Sequence, residues 1–120
     1  MGVYSDQINI KTNGEVDIID ITDEIQNSIS KSKLKDGIIC IFVPGSTGTL
    51  TTIEYEPGLM KDLPQALEKI APKKIYYNHH ETWHDDNGHS HVRASLMGPS
   101  ITVPFRNKNF SMEHGSKSYL

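Results

Sequence analysis

The feature that most constrains the fold is the run Ile38-Ile39-Cys40-Ile41-Phe42-Val43, six consecutive apolar residues, mostly β-branched, between Asp36-Gly37 and Pro44-Gly45. A run this short cannot cross a bilayer, which takes about 18 residues, and its flanking turn residues leave too little chain for a helix. Its composition predicts a central strand buried on both faces, with Cys40 inside. That strand needs partners and a cover. Ile21, Ile25 and Ile29 recur every four residues, Asp20 or Thr22 stands ready to cap the start, and Asp23 and Glu24 suit the positive end of a helix dipole, so a helix is predicted to about Ser32.

The same reasoning extends along the chain. Val3 to Lys11 and Val16 to Ile19, separated by Asn13-Gly14, read as a hairpin. Thr49 to Tyr55 is rich in β-branched residues and reads as a strand. Leu59, Leu63, Leu67 and Ile70 form a helical stripe closed by Pro72, with Pro64 as a kink or fresh start. Lys74 to Tyr77 and Ser90 to Met97 are read as strands around a polar loop, followed by Ile101 to Phe105 and a last strand over Asn107 to Met112. The polar segment Glu113 to Ser118 is expected to fray. The order β-β-α-β-β-α-β-β-β predicts one α+β domain over residues 1–120, sandwich-like, with mixed or antiparallel sheets and two helices.

Charge narrows the function. Twelve Lys and Arg against 15 Asp and Glu give a net charge of -3, which provides no field to collect nucleic acid or anionic lipid, so neither partner is expected. A single cysteine and no basic-then-apolar leader point to a cytoplasmic protein. Histidine is the exception to this evenness: His79, His80, His84, His89 and His91 fall within thirteen residues, beside Glu81, Asp85 and Asp86.

On a strand, residues two apart share a face, so His89, His91 and Arg93 are expected to project together. Two imidazoles so placed, with His79, Asp85 or Asp86 from the loop as third ligand, would bind a divalent ion such as zinc or magnesium; equally, they would move protons, or be no more than a solvated loop. Asp85 and Asp86 cannot both face one partner, and either one suits orienting an imidazole by accepting its second N–H. Gly45-Ser46-Thr47-Gly48 lacks the Gly-Lys-Ser/Thr ending of a P-loop, yet its amides and hydroxyls suit a phosphate; Glu54, on the strand beyond, is a candidate base.

The segments Asp20-Ile21-Thr22, Gly45 through Glu54, Asp62, Tyr77-Asn78-His79, Asp86 through His91 and Gly98-Pro99-Ser100 through Pro104 together resemble the YjbQ-like family over roughly residues 3 to 112. The resemblance implies a secondary thiamine-phosphate synthase that joins a pyrimidine (pyro)phosphate to a thiazole phosphate, and a homotrimer with its polar site near a subunit junction. For that reaction the chemistry of the residues leads to expected catalytic roles for Glu54, His79, Asp86 and His91, substrate contacts from Ser46, Thr47, Asn87 and Arg93, and a divalent metal on His79, His89 and His91. A metal-dependent hydrolase of a small phosphorylated metabolite and a non-catalytic trimeric metal- or ligand-binding protein are the competing functions. Gly45-Ser46-Thr47-Gly48 stands where the family commonly has His-Thr-Thr-Ala, and the family's usual C-terminal strand is expected to be missing.

Overall fold

The computed structural model describes residues 2–14, 16–110 and 116–119, of which 110 and 116–119 are described by backbone alone. Its organising element is the first helix, α1 (Thr22–Ser32). The Asp20 carboxylate accepts hydrogen bonds from the Thr22 amide at 3.0 Å and its hydroxyl at 2.6 Å, satisfying a donor that the helix start leaves unpaired. Lys33, in the left-handed region at φ 61°, ends the helix. Ile25 is wholly buried and Ile21 and Ile29 nearly so, which is the predicted stripe. Removing the Ile25 side chain down to Ala would cost about 2–5 kcal/mol.

This stripe packs on a three-stranded antiparallel sheet of order β1-β3-β4, where β1 is Gly37–Phe42, β3 Ser100–Arg106 and β4 Asn109–Phe110. The register sets Ile39 opposite Val103 and Ile41 opposite Ile101 on the covered face. It sets Ile38 opposite Pro104, Cys40 opposite Thr102 and Phe42 opposite Ser100 on the other face, where all six are exposed. The expected central strand is thus an edge strand among the described residues, covered on one side only, and Cys40 is exposed rather than buried. Asn107 and Lys108, both at positive φ (51° and 65°), close the β3–β4 hairpin with the twist that a two-residue turn requires.

A second antiparallel pair joins β2 (Thr51–Glu54) to β5 (Ser116–Tyr119), so the part of the expected frayed tail from Ser116 onward is strand, while 111–115 lie outside the described residues. Three further helices stand between β2 and β3: α2 (Leu59–Ile70), α3 (His79–Trp83) and α4 (Gly88–Met97). The class is α+β, as expected, but the element order is not. Among the described residues there are four helices, the opening segments form no hairpin strands, and Lys74 to Tyr77 is a turn. The run over 90–97 is helical, because α4 buries residues three to five apart (His89, Arg93, Ala94) and leaves Val92 and Leu96 exposed. No helix among the described residues is long and apolar enough to cross a membrane.

Candidate functional site: a histidine pair between two short helices

The site is built where α3 meets α4. His79 is the first residue of α3 and His91 lies in the first turn of α4. Their rings stack obliquely, with centroids 4.4 Å apart and planes at 47°. On the loop between the helices, Asp85 Oδ1 lies 3.1 Å from His79 Nε2, a charge contact rather than an aligned hydrogen bond, and its backbone carbonyl lies 3.1 Å from His80 Nδ1. His80 also lies edge-on to His84 at 5.7 Å, and its Nδ1 is 3.5 Å from Asp86 Oδ1. His79 is thus an imidazole between a carboxylate and a second imidazole, 27 % exposed, an arrangement suited to holding and passing a proton.

Helical geometry breaks up the face expected from strand spacing. On α4, His89 and Arg93 are four apart and point inward, whereas His91 is turned to the other side. His89 is 1 % exposed, with its ring 6.4 Å from that of Tyr77 and Nε2 3.4 Å from Ser90 Oγ. Arg93 does not present its fork to solvent: Nη2 donates to Glu68 Oε2 at 2.7 Å and Nε donates to the Ala71 carbonyl at 3.0 Å, fastening α4 to the end of α2. The expected metal set His79, His89 and His91 is therefore not assembled, and no group of three His, Cys, Asp or Glu among the described residues is placed to hold a metal ion.

The remaining expected residues are dispersed. The Ser46-Thr47 loop is tied beyond the far end of α4, where Val43 N–H donates to the Pro99 carbonyl at 2.9 Å and Thr49 Oγ1 to the Gly98 carbonyl at 2.7 Å. Seven helical residues, about 10 Å of rise, separate Gly98 from His91. Glu54 is exposed on β2, four extended residues past Leu50, whose amide also reaches Gly98. Asp86, with its side chain 99 % exposed, meets His80 only distantly, so the carboxylate that belongs to the pair is Asp85. Asn87 precedes α4, and its carbonyl accepts the amides of Ser90 and His91; its Oδ1 is buried without a hydrogen-bond partner among the described residues.

Sequence reasoning missed two contributors. Asp85 was weighed equally with Asp86, and nothing in the order of two adjacent aspartates distinguishes them. Tyr77 enters only within the segment Tyr77-Asn78-His79, with no role of its own, although a Cβ added at Gly88 would fall 2.6 Å from Tyr77 Cβ, so the start of α4 rests directly on it. The helix itself had a readable signal: Asn87 before it, Ala94, Leu96 and Met97 as good helix formers, and Gly98 after.

A family model described as UPF0047 protein YjbQ-like matches residues 6–119. A UPF0047 protein of Archaeoglobus fulgidus is 34% identical over 98 residues, covering 82% of this chain and 74% of its own. Another, from Methanothermobacter thermautotrophicus, is 33% identical over 112 residues, 93% of this chain and 77% of its own. Among solved structures, a YbjQ-like protein of unknown function from Sulfolobus solfataricus superposes with a TM-score of 0.85 at 28% identity, over 92% of this chain and 78% of that one. An uncharacterized conserved protein from Clostridium acetobutylicum does so at 0.83 and 31%, over 92% and 83%.

Proposed function

The chain belongs to the YjbQ-like UPF0047 family, and from that premise we propose that it works on a small phosphorylated metabolite at the His79–His91 pair, in a coupling of the thiamine-phosphate synthase type. The observation that carries the reading is His79 held 3.1 Å from Asp85 and stacked on His91 at 4.4 Å. In such a coupling the thiazole nitrogen attacks the pyrimidine methylene carbon, the carbon–oxygen bond to the diphosphate breaks, and pyrophosphate leaves with the bonding pair. A protonated imidazole beside the departing oxygen offsets that charge, and His79 is the imidazole assigned to it. His91 donates to a second phosphate oxygen. In this reading proton handling rests on the imidazoles themselves.

Hydrolysis of a phosphate ester is the second reading, favoured by the same carboxylate–imidazole pair, which suits a general base acting on water. Incubating the protein with both thiamine precursors and following thiamine phosphate and pyrophosphate tests the first reading; orthophosphate release from a panel of phosphorylated metabolites tests the second. Binding of phosphorylated ligands with turnover in neither assay would replace both by a non-catalytic binding protein.

A self-assembled trimer is part of the proposal. Ile38, Phe42, Trp83 and Leu96 are each more than 60 % exposed, a poor arrangement for a chain that stays alone in water. The radius of gyration is 16.3 Å, where about 14 Å is usual for a compact domain of this length. In this reading a neighbouring copy completes the surface around His79 and His91. The number three comes from the family resemblance.

A further inference from the structure

We infer that Tyr77 is the positioning residue of the histidine pair: its contact with Gly88 fixes how far apart His79 and His91 stand. The inference rests on the reading of that pair as the reacting site. Tyr77 lies two residues before His79, and Gly88 lies three residues, less than one helical turn, before His91. A Cβ at Gly88 would come 2.6 Å from Tyr77 Cβ and 2.8 Å from its Cγ, distances that real side chains do not adopt. The α4 backbone is thus seated on the root of the tyrosine ring, and only glycine permits the approach.

Tyr77 is itself held. Its hydroxyl donates to the Pro72 carbonyl at 2.6 Å, and its ring lies beside the buried His89 at 6.4 Å. A second tie on α4, Arg93 to Glu68 and Ala71, sets that helix against α2, and the Gly98 carbonyl at its far end accepts Thr49 Oγ1 and the Leu50 amide; none of these bonds reaches α3. Movement at the Tyr77–Gly88 contact is therefore what would open the His79–His91 gap, with α4 still fastened at Arg93. In this role Tyr77 acts through the two backbones.

The test uses the whole chain and needs no substrate. At a ring separation of 4.4 Å, protons of His79 and His91 should give a nuclear Overhauser cross-peak in the wild type. Gly88→Ala and Tyr77→Ala should abolish it, while Tyr77→Phe, which keeps the ring against Gly88, should retain it. A residue that only adds stability would lower the melting temperature and leave the cross-peak in place. Tyr77→Ala keeps the test informative should Gly88→Ala fail to fold. Persistence of the cross-peak in either folded alanine variant, or its absence from the wild type, overturns the inference. Titration with inorganic phosphate is the separate arm: if the His79 and His91 resonances of the wild type do not respond, the reading of the site fails, and the cross-peak still decides the role of Tyr77.

Discussion

Arg93 and Glu68 are joined across 2.7 Å, and the same guanidinium reaches the carbonyl of buried Ala71 at 3.0 Å, so one side chain closes the end of α2 against the flank of α4. Arg93→Ala leaves the Ala71 carbonyl without its donor, a loss of about 1–3 kcal/mol. Arg93→Lys should lose part of this, because one ammonium cannot reproduce the fork. Urea midpoints should fall in the order wild type, Lys, Ala. An unchanged midpoint for Arg93→Ala would show that the tie contributes nothing in solution.

His79→Gln should lower turnover of the metabolite substrate about 10²- to 10⁴-fold, the usual weight of one acid–base group, with little change in melting temperature. Asp85→Asn should lower it too, whereas Asp86→Asn should not, since Asp86 is almost fully exposed and lies 3.5 Å from His80 rather than near His79. Equal losses in the two aspartate variants would contradict the placement of Asp85.

Chelation of divalent metal should leave the affinity for a phosphorylated ligand unchanged, because His89 is buried beside Tyr77 and does not join His79 and His91 as a third ligand. Calorimetry with and without chelator reads this directly. Loss of binding that added zinc restores would mean that ligands from a neighbouring copy complete a metal site.

Light scattering at micromolar concentration should report a mass near three times 13.5 kDa. Phe42→Lys, on the uncovered face of β1, and Leu96→Lys, on the exposed side of α4, distinguish which face is buried in the assembly: the one that matters should yield a smaller species. A wild-type monomer would remove the trimer from the proposal.

Acid stability should depend on Asp6, which accepts the Ser28 hydroxyl at 2.7 Å and the Gln7 amide at 2.8 Å. The bond from Ser28 first, then that from Gln7, hold its carboxyl below the ordinary value of 3.8, with Lys31 adding a smaller pull in the same direction. A folded-state pKa below the unfolded one contributes stability that is present above the unfolded value and is lost as pH falls through the folded one. Asp6→Asn should therefore destabilise the chain at neutral pH and converge with the wild type in strong acid. A difference that grows on acidification would reverse the sign and refute the assignment.

What the sequence determined is what short-range pattern carries. Isoleucines at 21, 25 and 29 behind Asp20 specify α1, because four-residue spacing permits one buried helical face and a carboxylate just ahead of it satisfies one of the unpaired amides, that of Thr22. The β-branched run at 38–43 specifies strand for the same local reason, and clustering of histidines pointed to the candidate site. Tertiary structure decided the rest. Residues 88–97 offer both a period-two and a helical reading, since Val92, Ala94 and Leu96 alternate while His89 and Arg93 stand four apart; the contact of Gly88 with Tyr77 and the bonds from Arg93 to α2 favour the helix. That outcome carries Arg93 and His89 inward, turns His91 toward His79, and leaves Asp85, not Asp86, beside the pair. No spacing rule along the chain contains that choice, because it is made by how α3 and α4 meet, through side chains and backbone from separate segments.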